Sequence, residues 1–265
     1  MRRSRTLRFR SSLLACLAFS FSITAFAAED RTRCGADRID ERVTVERLVD
    51  GDTVKLRDGR KIRFIGINTP EVGRHGTSSQ PLANMARDML QTLLEKSGHT
   101  MSLRYDAERH DRYGRGLAHA YLSDGSSVEA HLLERGLATI MPFPPNLWNL
   151  ACYQATEQHA RAARRGIWAL PEYQPAHATQ LSQTDTGMRL ITGKVTASHL
   201  LKNDIWLTLD NVLLLRVSRR DRSYFPATFP DEMLGRTVIA RGRLYFAEGA
   251  LRMQIRHPAT LEIAQ

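Results

Sequence analysis

Residues Val49 to Glu71 read V-D-G-D-T-V-K-L-R-D-G-R-K-I-R-F-I-G-I-N-T-P-E. Asp50-Gly51 marks a turn, and Thr53 to Leu56 alternates as a strand does. Asp58-Gly59 has the sequence of a tight hairpin loop. Lys61 to Ile67 alternates again and offers Ile62, Phe64, Ile65 and Ile67 to a core. The hairpin is predicted to bring Asp52, at the start of one strand, close to Asn68-Thr69-Pro70-Glu71, at the end of the next, with Arg63 beside them. Carboxylate, amide and carbonyl oxygens suit a hard cation such as Ca²⁺. A cation and an arginine side by side suit a phosphate.

Asp-Gly turns and a proline-ended strand occur in many β proteins, so this stretch alone does not specify an activity. A second element narrows the reading: Asp111-Arg112-Tyr113-Gly114-Arg115-Gly116-Leu117-Ala118. Together the two resemble the staphylococcal-nuclease (thermonuclease-like) family, with its D-G-D-T, R-x-x-G-I-D-T-P-E and D-x-Y-G-R patterns in this order. The resemblance covers about residues 42–168. It implies an OB-type five-stranded barrel with three helices, in an α+β fold that is mainly β. It places Asp52, Asn68 and Thr69 on the family's Ca²⁺ positions, and Arg63, Glu71 and Arg115 on its catalytic arginine, glutamate and arginine. Arg112 and Tyr113 fall beside the position that contacts the terminal phosphate of a bound nucleotide.

Two departures matter. The family often has Asp where this chain has Asn68, which keeps an oxygen ligand and removes one negative charge; Ca²⁺ affinity should fall accordingly. The region where the best-known member carries base-packing tyrosines reads Ile140-Met141-Pro142-Phe143-Pro144-Pro145. Phe143 is the candidate stacking face there, although a buried apolar role is the simpler reading of that residue.

Residues 1–27 resemble a secretory signal peptide. Five arginines precede the apolar run Ser11 to Phe26, which ends in the A-x-A site Ala25-Phe26-Ala27. A secreted or periplasmic protein starting at Ala28, with no membrane association after cleavage, is the expectation. Cleavage would lower the formal charge from +10 to +5. Residues 28–187 balance at 21 basic and 21 acidic residues, so the surplus lies in 188–265, with 12 basic against 7 acidic. That bias is compatible with a polyanionic partner. Cys34 and Cys152 form an even pair in an exported chain, and a disulfide between them is expected. Closing so long a loop contributes on the order of 4–5 kcal/mol in the chain-entropy account.

The composition divides the mature chain into a nuclease-like domain (28–169), a Gln/Thr/Ser-rich linker (170–187) and a second small β-rich, OB-like domain (188–265). In the first, strands are predicted near 42–49, 52–58, 61–67, 100–106 and 115–123. Helices are predicted near 80–96, 127–135 and 150–165, the last capped by Asn149 or Asn146. In the second, strands are predicted near 189–198, 204–209, 212–218, 236–246, 250–256 and 260–263, with a short helix over 231–234. Arg216, Arg219, Arg220 and Arg222 beside Tyr224 and Phe225 read equally as a phosphate-and-base contact or as a solvated loop with inward aromatics. Trp168 reads as a core or helix-end anchor.

Two classes of function follow. One is a monomeric, Ca²⁺-dependent nuclease acting on DNA and RNA. The other is a nucleic-acid-binding module on the same fold with weak catalysis. The joint presence of Arg63, Glu71 and Arg115 favours the enzyme, since a binding module has no physical need for all three at these spacings.

Overall fold

The computed structural model describes residues 34–264 except His75; the signal-peptide segment lies outside them. Alternating apolar residues build the first sheet. β1 (Glu41–Leu48), β2 (Thr53–Leu56), β3 (Lys61–Phe64), β5 (Thr100–His110) and β6 (Gly116–Tyr121) close into a barrel in the order β1-β2-β3-β6-β5. The β3–β6 pair is parallel, with Arg63 opposite Leu117, and the other pairs are antiparallel. Val54, Leu56, Ile62, Phe64, Leu103, Ala118 and Ala120 fill the interior.

The predicted strand over 61–67 is broken at Ile65. Gly66 sits at φ +84°, a conformation that disfavours side chains, and a Cβ there would lie 3.0 Å from the Tyr153 ring. The chain leaves the barrel, and β4 (Gly66–Asn68) pairs antiparallel with β7 (Thr139–Met141), a strand the sequence reading missed. This two-stranded ribbon carries Asn68 out to the barrel rim.

Three helices close the barrel. α1 (Ala83–Lys96) begins three residues later than predicted, because Leu82 takes a left-handed conformation and Gln80 is engaged elsewhere. α2 (Val128–Glu134) is capped by the Ser127 side chain, which accepts from Ala130 N–H at 3.2 Å. α3 (Leu150–Ala162) ends before the predicted Arg165, since Arg164 and Gly166 both have positive φ. Neither Asn149 nor Asn146 caps it through a side chain. The Asn149 amide donates to the Cys34 carbonyl, and Asn146 makes two bonds to the Glu108 backbone, 2.8 and 2.9 Å long. A disulfide joins Cys34 to Cys152 on α3, with Cα atoms 5.8 Å apart.

The segment 170–187 carries 3₁₀ turns at Pro171–Tyr173 and Ala178–Gln180. It also holds the short strand β8 (Ala176–His177), which pairs in parallel with β9 (Gly187–Leu201). The C-terminal strands are β9 (Gly187–Leu201), β10 (Asp204–Leu209), β11 (Leu213–Val217), β12 (Thr237–Ala247), β13 (Ala250–Gln254) and β14 (Leu261–Ile263). β9 pairs with β10, β10 with β11, β11 with β13 in parallel, β13 with β12, and β12 back with β9. These pairings close a second five-stranded barrel with the strand order of the first, around Ile191, Leu207, Leu215, Ala240 and Met253. The predicted helix over 231–234 is a 3₁₀ turn, Asp231–Met233.

The two barrels share buried contacts. Ala160, Ile167 and Trp168 pack with Leu190, and Ile239 packs against this cluster. Arg241 Nη1 on β12 donates to both Glu157 oxygens on α3, at 2.7 and 2.8 Å, with both side chains almost wholly buried. Removing one partner of such a pair leaves a buried uncompensated charge and typically costs about 3–5 kcal/mol. Arg161 Nη1 bonds Glu262 at 2.9 Å nearby. The basic loop resolves toward its solvated reading. Phe225 packs inward, 4.6 Å from Phe229, and Arg216 is bonded to Asp204 at 2.8 Å.

Candidate active site

The turn before β2 builds one wall of the site. Gly51 has no room for a side chain, since a Cβ there would meet Ala86 Cβ at 2.9 Å and Thr69 Cγ2 at 3.0 Å. That close approach seats the Asp52 carboxylate against Thr69. Asp52 Oδ2 accepts from the Thr69 N–H at 2.8 Å and from Thr69 Oγ1 at 3.0 Å, and Oδ1 accepts from Thr53 Oγ1 at 3.1 Å. Arg63 Nη1 lies 3.0 Å from the same Oδ2 and donates to the Phe64 carbonyl at 3.0 Å. Arg63 Nη2 donates to Asn68 Oδ1 at 3.3 Å, and Asn68 Nδ2 donates to the Thr69 carbonyl at 3.2 Å. Asp52, Arg63, Asn68 and Thr69 are thus one hydrogen-bonded group. Arg63 has five N–H donors, and these bonds leave two of them uncommitted among the described residues.

Glu71 sits at the edge of this group. Its N–H donates to Gln80 Oε1 at 2.9 Å and its carbonyl accepts from Gln80 N–H at 2.9 Å, which fixes the loop after Pro70. Burial, and then the Asp50 and Asp52 carboxylates, push the Glu71 carboxyl above its ordinary range; Arg63 pulls the other way. Asp50, which the sequence offered only as a turn residue, is buried and bonded to Arg74 at 2.9 Å. Its carboxyl is also pushed up, by burial first and then by Asp52. Asp50 and Asp52 are buried and paired with Arg74 and Arg63, and the exposed Glu71 lies close enough to feel both carboxylates.

Arg115 stands at the start of β6, next to the strand that carries Arg63. Its Nε donates to Asp111 Oδ2 at 2.7 Å, and Asp111 Oδ1 accepts from the Tyr113 and Arg115 N–H groups at 2.9 and 3.0 Å. Asp111 therefore orients the turn, and among the described residues no hydrogen bond uses the Nη hydrogens of Arg115. Among the described residues no hydrogen bond or ion pair links Arg115 to the Asp52 group. Arg112 and Tyr113 are on the same turn, with Arg112 Nη2 donating to Tyr113 Oη at 2.6 Å and Tyr113 69 % exposed.

Phe143 is not a core residue. It is 50 % exposed, and the guanidinium of Arg256 from the second barrel stacks on it, 3.8 Å from its ring centroid. Arg256 is held by Asp221 at 3.2 Å and by the Pro144 carbonyl at 3.0 Å.

Residues 61–170 match the family of staphylococcal nuclease homologues. The endonuclease YncB of Bacillus subtilis is 33 % identical over 136 residues, which are 49 % of this chain and 63 % of that protein. The thermonuclease of Staphylococcus intermedius is 32 % identical over 131 residues, 48 % of this chain and 76 % of that protein. The chain belongs to the staphylococcal nuclease family. The thermonuclease of Staphylococcus hyicus is similar to the same extent, at 32 % over 128 residues and 74 % of its length. The chain spans under two thirds of the length of YncB and 45 % of that of the prophage-derived endonuclease YokF. In this staphylococcal nuclease homologue the matched stretch holds Arg63, Asn68, Thr69, Glu71 and Arg115; Asp52 precedes it, and the second barrel lies beyond it.

Proposed function

We propose that this protein is an exported, metal-dependent nuclease that hydrolyses phosphodiester bonds of DNA and RNA and works as a monomer. The observation that carries this reading is the hydrogen-bonded group Asp52–Arg63–Asn68–Thr69 with Glu71 electrostatically coupled to it. A phosphodiester is an inert anion, so the site must neutralise charge, deliver a nucleophile and stabilise a crowded phosphorus centre.

The donor set fits a hard divalent cation. The Asp52 carboxylate, through its less committed Oδ1, Asn68 Oδ1 and the Thr69 carbonyl would be the oxygen donors, and Asp50 and Glu71 add negative potential. Ca²⁺ is the favoured ion, since few protein ligands and flexible geometry suit it; when bound it would neutralise phosphate charge. Glu71 takes the proton of the attacking water as general base, and the leaving oxygen departs from phosphorus with the bonding pair. The uncommitted donors of Arg63 and the Nη hydrogens of Arg115 stabilise the phosphate oxygens as charge builds on them. Arg112 and Tyr113 contact the phosphate end of the bound strand, and Phe143 offers its open face to a base. The Cys34–Cys152 disulfide supports an oxidising, secreted or periplasmic location.

Cleavage of single-stranded DNA and RNA with and without Ca²⁺ tests the assignment. Cleavage that needs the cation and falls on Glu71→Ala supports it; a folded protein that binds single strands and cleaves neither opposes it.

A further inference from the structure

The ribbon that carries Asn68 is small. β4 and β7 have three residues each, and among the described residues they pair with each other and with neither barrel. A two-stranded ribbon is marginal by itself and takes one geometry only when something else holds it. Asn68 is paired with Thr139, and Ile67 with Ile140. Fixing Ile140 therefore fixes the strand opposite, and with it the Asn68 side chain that meets Arg63.

Ile140 is gripped at both of its backbone groups. Its N–H donates to Glu157 Oε1 on α3 at 2.7 Å, and its carbonyl accepts from Arg241 Nη1 of the second barrel at 3.4 Å. The same Nη1 donates to both Glu157 oxygens, so the two grips are joined. Arg241 lies within β12, opposite Leu190 on β9, and the barrel pairing fixes its backbone. Arg241 and Glu157 are 4 % and 2 % exposed. A buried ion pair often adds no stability over an apolar pair of the same size, and fixing one register is its best-attested use. The neighbouring pair Arg161–Glu262 also joins the barrels, but among the described residues it has no hydrogen bond or ion pair to the ribbon.

We propose that Arg241 is a positioning residue for the cation site. Through Glu157 and Ile140 it holds the β4–β7 ribbon, so that Asn68 Oδ1 and the Thr69 carbonyl stand beside the Asp52 carboxylate. The second barrel, which lies beyond the stretch matched by the family, is then a working part of the site. The inference rests on the reading of Asp52, Asn68 and Thr69 as cation ligands; the clamp on the ribbon rests on the hydrogen bonds alone.

The test uses the full chain and two readouts. One is hydrogen exchange of the Ile140 amide in metal-free protein. The other is the Ca²⁺ Kd, read from the Asn68 and Thr69 backbone amide resonances. Arg241→Met with Glu157→Leu replaces the ion pair by apolar groups, a change that is often neutral for stability. In that double variant the Ile140 amide should exchange faster, and the Ca²⁺ Kd should rise about 10-fold, as happens when an outer partner of a metal ligand is lost. Arg241→Lys, which keeps a charge opposite Glu157, should stay close to the parent. So should Arg161→Met, which breaks the other pair between the barrels. An unchanged Kd in the folded double variant, or an equal rise in Arg161→Met, overturns the proposal. If the double variant does not fold, the wild type decides. By linkage, Ca²⁺ should slow exchange at the Ile140 amide more than at the Leu103 amide in the barrel wall; equal slowing at both overturns the proposal. A wild type whose Asn68 and Thr69 amides do not respond to Ca²⁺ would instead refute the cation reading itself.

Discussion

Arg63 Nη1 lies 3.0 Å from Asp52 Oδ2, so the arginine assigned to the phosphate and the carboxylate assigned to the cation are partners of each other. Thr53 and Arg63 face each other across the β2–β3 pair, which sets this distance through backbone register. The same guanidinium serves the Phe64 carbonyl and Asn68 Oδ1. A lysine ammonium is a point charge and cannot hold that planar set while still presenting donors to substrate. Arg63→Lys should therefore lower kcat by on the order of 10²-fold with little change in the thermal midpoint. Steady-state kinetics with a melting curve check it, and a kcat within a few-fold of the parent would remove the bidentate role.

Asn68 ties up the carbonyl it is meant to ligate beside, because its Nδ2 donates to Thr69 O at 3.2 Å. Aspartate has no such donor when ionised, so Asn68→Asp frees the carbonyl and adds one negative charge. The Ca²⁺ concentration for half-maximal activity should fall. A Ca²⁺ titration of both proteins on one single-stranded DNA measures it, and an equal or higher requirement in the variant would take Asn68 out of the ligand set.

The disulfide gives a third expectation. Mass mapping of non-reduced peptides from protein made in an oxidising compartment should show Cys34 linked to Cys152. Replacing both with Ser should cost about 2–5 kcal/mol of stability, seen as a lower denaturant midpoint. Two alkylatable thiols in the native protein would contradict the pairing.

Acid stability should depend on Asp106. Burial works against its charge, yet His119, the Trp148 N–H at 2.9 Å and Arg104 hold its carboxyl down to about 2. A folded-state value below the unfolded one means a stabilisation present above the unfolded range, near 3.8, and lost as pH falls toward 2. The stability difference between wild type and Asp106→Asn should be constant from neutral pH down to about 5 and then shrink. Denaturant titrations across that range check the sign, and a difference that grows on acidification would reverse it.

The first barrel was legible because its strands alternate and its turns carry Asp-Gly, which are local signals. The break at Ile65 was not, since it depends on Tyr153 meeting Gly66 from α3, a contact of long sequence separation. Phe143 was read partly as core from its apolar character; it is half exposed, and its ring partner is Arg256, more than a hundred residues away in the sequence. Asp50 and Gln80 were missed for a related reason. Asp50 looked like an ordinary turn residue until the fold buried it beside Asp52, and Gln80 looked like the start of a helix until it paired with Glu71. The 170–187 segment looked like a linker from its polar composition, and its ordered 3₁₀ turns and short strand are supplied by contact with β9.

The most direct measurement is single-turnover cleavage of single-stranded DNA in Ca²⁺ by wild type and Glu71→Gln, with binding followed in parallel. Gln keeps the shape and the backbone pairing with Gln80 and removes the base. Wild type should cleave, and Glu71→Gln should bind the strand equally well while cleaving on the order of 10²-fold more slowly or less. Equal cleavage by the two folded proteins, or no cleavage by wild type at any Ca²⁺ concentration, would contradict the assignment of this site as a nuclease centre built on Glu71.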